Sequence, residues 1–203
     1  MRRGTLLLAA LLAALLADCG GGQPKLQRLA PDAVVLAFGD SLTAGLGANP
    51  GESYPARLEA LIGRKVVSSG IPGETSAGGL ARMPAALEDA KPQLVTLCEG
   101  GNDFLQKLDE AQAANNLRAM IRLAKARGAQ VVLIAVPKPG LLPSPAEFYA
   151  IVAKEFGVPH EESALRKILT DNALKSDLVH PNAAGYAKLA EAIAALLRKT
   201  GAV

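Results

Sequence analysis

The chain of 203 residues predicts an α/β fold, a three-layer α/β/α sandwich on a parallel sheet, and three observations lead there. Short apolar runs of strand length recur along it. Segments with helical periodicity separate those runs. The runs are apolar throughout, as strands buried on both faces must be, and right-handed crossovers then place helices over both faces of the sheet.

Taken in order, the chain opens with Arg2, Arg3 and an unbroken apolar run from residue 6 to residue 17. That is the layout of a secretory signal peptide, and the run falls short of the roughly 20 apolar residues that span a bilayer. The next stretch, "LADCGGGQP", resembles the lipobox of bacterial lipoproteins. The resemblance implies that residues 1–18 are removed, that Cys19 is lipidated, and that residues 19–31 form a flexible glycine-rich tether to the membrane. Asp18 stands where that family favours a small neutral residue, so a general signal-peptidase cut nearby is the alternative.

Residues 32–203 then form the one folded domain. Strands are expected at 33–38, 65–69, 94–98 and 131–136. A fifth is hard to find, because Glu161 and Glu162 limit "GVPHEES" to a few residues. Tyr54, Leu58, Leu61 and Ile62 share one helical face, as do Leu117, Met120, Ile121 and Ala124, and then Leu189, Ile193, Leu196 and Leu197. Another helix is expected over 147–156. Residues 137–145 hold four prolines and read as a stiff surface loop.

Loss of residues 1–18 removes two arginines and one aspartate, which lowers the formal charge from +3 to +2. So slight an excess, without an arginine-rich stripe, argues against nucleic acid as a partner. A chain with no Trp, 3 Tyr and 4 Phe also has little with which to stack bases. Cys98 ends an apolar run and reads as a buried thiol, and two cysteines with two distant histidines make no metal-ligand spacing.

In open parallel sheets, ligands sit beyond the carboxyl ends of the strands. "GDSLTAG" follows the first run, "SGIPGETS" the second and "EGGNDF" the third, while "SDLVHPN" lies near the end of the chain. All four polar clusters can face one crevice. Activating a serine takes an imidazole to accept its proton and a carboxylate to fix the ring. His180 has Asp177 three positions before it, whereas His160 reads as a solvated surface residue. Ser41 emerges from the end of a strand, though a serine there could equally be a helix cap. Gly73 can offer an unobstructed backbone N–H and Asn102 a side-chain amide to a developing oxyanion, though either could be an ordinary turn residue. Asn182 can cap the C-terminal helix. A nucleotide-binding reading of Gly45, Gly47 and Gly51 is weaker, since their spacing departs from the dinucleotide fingerprint.

With these blocks the sequence resembles the SGNH (or GDSL) hydrolases, and within them the small bacterial lysophospholipase, thioesterase and arylesterase branch. The match runs from "LAFGDSLTAG" through "GIPGETSAGGLARMP" and "LCEGGNDFL" to "SDLVHPNAAGYAKLAEAI". The resemblance implies Ser41 as nucleophile, His180 as general base and acid, and Asp177 as the orienting carboxylate. It implies an oxyanion hole of the Ser41 and Gly73 amides with the Asn102 side chain, the flavodoxin-like strand order 2-1-3-4-5, and no cofactor. The expected activity is hydrolysis of carboxylic esters or thioesters of small acyl, aryl or lysophospholipid-like substrates through an acyl-serine. Alternatives are an O-acetylesterase acting on envelope polysaccharide and a non-catalytic surface lipoprotein. The expected setting is a monomer exported to the periplasm or cell envelope. Ser68 occupies a position where the family usually carries asparagine, which predicts altered loop support. Leu46, Ile71, Leu141 and Leu142 are the candidates for an apolar acyl site, unless they belong to the core.

Overall fold

A computed structural model describes residues 22–203. The expected signal peptide and Cys19 lie outside the described residues. In chain order the elements are β1 (Val34–Gly39), α1 (Ser41–Ala44), α2 (Tyr54–Ile62), β2 (Lys65–Gly70), α3 (Ser76–Ala90), β3 (Leu94–Cys98), α4 (Gly101–Leu105) and α5 (Glu110–Ala126). There follow β4 (Gln130–Ile134), α6 (Phe148–Phe156), β5 (His160–Glu161), α7 (Ala164–Thr170) and α8 (Ala183–Thr200).

The five strands make one parallel sheet in the order β2-β1-β3-β4-β5. That order is the one the family resemblance implies. Helices α2, α7 and α8 pack together on one face, and α3, α5 and α6 on the other. Burial follows from position: every residue of the central strand β3 is buried, whereas edge strand β2 is only half-buried. Burying a Val or Leu fully contributes about 1.5–3 kcal/mol, so the continuous runs 35–38, 94–98 and 131–134 drive the layering. Thr96 sits in this interior because its hydroxyl pairs with the buried Tyr54 hydroxyl at 3.3 Å.

Three expectations need correction. Leu61 does not join Tyr54, Leu58 and Ile62 in the core, because α2 packs over the sheet-edge strand β2 and against α8, which covers only the narrow stripe 54, 58, 62. The fifth strand, expected to run to only a few residues, is two residues long. The Glu161 carboxylate explains its brevity, accepting from the Ser163 and Ala164 amides at 3.1 and 2.7 Å and so turning the chain into α7. His160 is therefore half-buried in the sheet rather than a solvated surface residue, and burial lowers its pKa.

The third correction concerns the tether expected over residues 19–31. Residues 23–30 lie on the domain. The Gln23 side chain bonds both the N–H and the C=O of His160, at 3.0 and 3.1 Å, which occupies the free edge of β5 as a neighbouring strand would. Gln27 then exchanges two bonds with the Gln130 side chain at the start of β4, and the Ala30 amide donates to the Gln93 side chain just before β3. Leu29 is buried at 2% exposure. Residues 23–30 are thus tied to the domain by hydrogen bonds and by the burial of Leu29.

Candidate active site

The crevice at the carboxyl edge of the sheet is built by what ends each strand. Gly39 must be glycine, since a Cβ there would fall 2.1 Å from the Cys98 carbonyl oxygen on the adjacent strand. This close approach turns the chain into α1 at once. Asp40 caps that helix, its Oδ1 accepting from the Leu42 amide at 2.9 Å, and Ser41 is the first helical residue. Its N–H is therefore one of the donors that a helix start leaves free. The capping role that a serine could have filled here belongs to Asp40 instead.

At the opposite lip, Asp177 Oδ1 accepts from the Val179 and His180 amides, both at 2.8 Å, which closes the tight turn "SDLVHPN". Its Oδ2 faces His180 Nδ1 at 2.8 Å. Burial raises the Asp177 pKa, but hydrogen bonds from the Val179 amide and the His180 ring and amide outweigh it and hold the carboxyl below its ordinary value. Across the crevice, His180 Nε2 lies 3.0 Å from Ser41 Oγ. Two residues 139 positions apart are in hydrogen-bond contact. Asn182 caps α8, accepting from the Gly185 amide at 3.0 Å, so the ring and the helix cap are separate residues.

The loop after β2 carries Gly73 at φ +80°, a conformation that only glycine adopts without strain. Asn102, in α4, donates through Nδ2 to the Glu74 carbonyl at 2.8 Å and to Asp40 Oδ2 at 3.4 Å. Asp103 beside it is buried and accepts from the Ser76 amide and hydroxyl at 2.8 and 2.6 Å, while Asn116 donates to the same hydroxyl at 2.9 Å. The pair Asn102–Asp103 thus fastens the loop that precedes α3. Ser68 donates to the Thr43 carbonyl at 3.3 Å and ties β2 to α1, a support of its own for this corner.

Several residues here escaped the sequence reading. Asp40 had a visible signal, since an aspartate just before a helix start is a cap. Its burial raises its pKa to about 7, against the opposing pull of the Leu42 amide and the His180 charge. Glu99 had none: it is buried behind the crevice, burial pushes its pKa to about 10, and its Oε1 has no hydrogen-bond partner. The Glu74–Arg82 ion pair at 2.6 Å was equally silent.

An apolar cleft opens beside Ser41, lined by Leu42, Leu105, Val136, Pro139, Pro143, Leu169, Leu178 and Val179. None of the four expected acyl-site residues lines it. Leu46 and Ile71 are exposed, and Leu141 and Leu142 stand out at 97% and 80% exposure on the tip of a loop closed by the Lys138–Ser144 bridge. The prolines on either side of that tip, not the leucines, reach the cleft. Among the described residues no group of His, Cys, Asp or Glu is arranged to hold a metal ion, and Cys98 is a buried free thiol whose pKa burial raises.

This geometry agrees with what the chain is similar to. Residues 37–188 match the model of the GDSL-like Lipase/Acylhydrolase family. The chain belongs to that family. As a member it is an acyl-ester hydrolase, the class the four sequence blocks imply. It is 33% identical over 173 residues to the esterase TesA of Pseudomonas aeruginosa, covering 77% of this chain and 84% of that one. It is 32% identical over 163 residues to thioesterase 1/protease 1/lysophospholipase L1 of Escherichia coli K12, covering 76% and 78%. The crystal structure of TesA superposes on this acylhydrolase with a TM-score of 0.74 and 31% identity, over 82% of this chain and 99% of that one.

Proposed function

We propose that this acylhydrolase cleaves carboxylic esters and thioesters with an apolar acyl group, through an acyl-enzyme on Ser41. The observation that carries the reading is the 3.0 Å contact between Ser41 Oγ and His180 Nε2, with Asp177 Oδ2 2.8 Å behind the ring. His180 Nε2 takes the hydroxyl proton as Oγ attacks the carbonyl carbon, and Asp177 holds the tautomer that leaves Nε2 free and then steadies the charged ring. The oxyanion settles among the Ser41 amide, the Gly73 amide and Asn102 Nδ2. Of the two Asn102 hydrogens, one is committed to Glu74, and the other makes only the long 3.4 Å contact to Asp40, which an oxyanion would replace. His180 then protonates the leaving alcohol or thiol, and water repeats the cycle on the acyl-serine.

The apolar cleft supports a hydrocarbon acyl group, and the names of the two relatives, an esterase and a thioesterase/lysophospholipase, support both ester and thioester. The apolar run at residues 6–17 and Cys19 support export to the cell envelope with a lipid anchor. A chain-length series of nitrophenyl esters and acyl-CoA thioesters, run beside Ser41→Ala, tests the reading. Loss of turnover on the order of 10⁵-fold in Ser41→Ala, with a preference for acyl groups longer than acetyl, is the expected result. Turnover retained in that variant overturns the assignment of the nucleophile, and preference for acetylated sugars would favour the O-acetylesterase alternative.

A further inference from the structure

We propose that Arg82 is a positioning residue that holds the oxyanion donors Gly73 and Asn102 in register with Ser41, an inference that rests on the serine mechanism above. The loop at residues 71–75 is held from the α4 side by Asn102 and Asp103, and from the sheet side through Glu74. An added Cβ at Gly73 would meet nothing within 4 Å, so the turn that presents its amide stands open on that side. Its placement comes from hydrogen bonds on either side. The Ile71 amide donates to the Gly39 carbonyl at 3.0 Å, and the Glu74 amide to the Ile71 carbonyl at 3.2 Å. The Glu74 carboxylate is the loop's side-chain handle on the sheet side.

Arg82, on α3, takes that handle. Its Nε donates to Glu74 Oε1 at 2.9 Å, its Nη1 to Ser69 Oγ at 2.7 Å, and its Nη2 to the carbonyls of Ser69 and Gly39 at 3.0 and 3.1 Å. The guanidinium lies over the Phe38 ring at 3.9 Å. One planar fork therefore joins the ends of β1 and β2 to the residue after Gly73. Because the Glu74 carbonyl orients Asn102 Nδ2, both donors shift if Glu74 shifts. Arg82 does not line the cleft, so it acts through its neighbours and not on substrate. Lysine offers a single ammonium and cannot satisfy acceptors spread over this fan.

The test compares Arg82→Lys with wild type on one soluble nitrophenyl ester and on an alkylboronic acid, which forms a tetrahedral adduct with an active serine. The expected result is a fall in kcat of roughly tenfold to hundredfold with KM changed by less than about threefold, and a parallel loss of boronate affinity, as for interactions made only in the transition state. A role in stability alone would lower Tm and leave kcat and boronate affinity within about twofold of wild type, which overturns the proposal. If Arg82→Lys does not fold, Glu74→Ala cuts the same link from the loop side while leaving the Arg82 bonds to Ser69 and Gly39, and the same two readouts decide. Wild-type protein that binds no boronate and is unaffected by Ser41→Ala would instead refute the serine mechanism, a failure distinct from that of Arg82.

Discussion

Asn102 shows how one side chain serves two masters in this crevice. Its amide is clamped by the Glu74 carbonyl, which fixes its plane, and its other hydrogen makes only the long contact to Asp40, the one that the proposed mechanism gives to the oxyanion. Asn102→Ala is therefore expected to lower kcat by about a hundredfold or more while Tm changes little, measurable with a soluble nitrophenyl ester. Glu99 presents the opposite case, a buried carboxyl with an unpartnered oxygen. Unfolded chain releases its proton near the ordinary value of 4.5, whereas the fold retains it to about 10. Between those limits the folded state binds more protons, so this group makes stability fall as pH rises. Glu99→Gln is expected to raise Tm at pH 8, by about 2–4 °C for each kcal/mol regained, and to leave it unchanged at pH 4. A Tm difference constant from pH 4 to pH 9 would remove burial of the charge as its cause.

Among the elements, what was legible in the sequence follows from what a pattern can encode. Strand β3 is read to the residue at 94–98, because a central strand is buried at every position and only Thr96 interrupts its apolar run. Strand β5 is nearly invisible, because two residues carry no period and its neighbour across the edge is the Gln23 side chain rather than backbone. Ser41, Asp177 and His180 were legible through their blocks, but the cleft walls were not. Leu105, Leu169 and Leu178 come from three separate elements or loops whose convergence depends on how helices sit over the sheet. Leu141 and Leu142 looked like wall residues only because their loop adjoins the site in sequence. At the start of α8, the Asn182 cap also anchors the turn that carries His180, donating to the Ala173 carbonyl at 2.9 Å. Asn182→Ala is expected to cost about 1 kcal/mol of stability, the usual loss for a cap, seen as a lower midpoint in urea unfolding.

Taken whole, the molecule is closed at its amino end by residues 23–30, which run from the edge of β5 past the starts of β4 and β3 into β1. Leu29 is the apolar rivet of that strap, joined by its amide to the Ala202 carbonyl at 2.8 Å. Leu29→Ala is expected to destabilise the fold by roughly 2–5 kcal/mol, measured by denaturant titration, with kcat unchanged because the strap lies away from the crevice. The strap also sets a reach. From Cys19 to the first clasped residue, Gln23, there are four steps of chain, which fully extended cover at most about 14 Å. Were Cys19 to carry an acyl chain, so short a leash would keep the folded domain against the leaflet in which that chain is rooted.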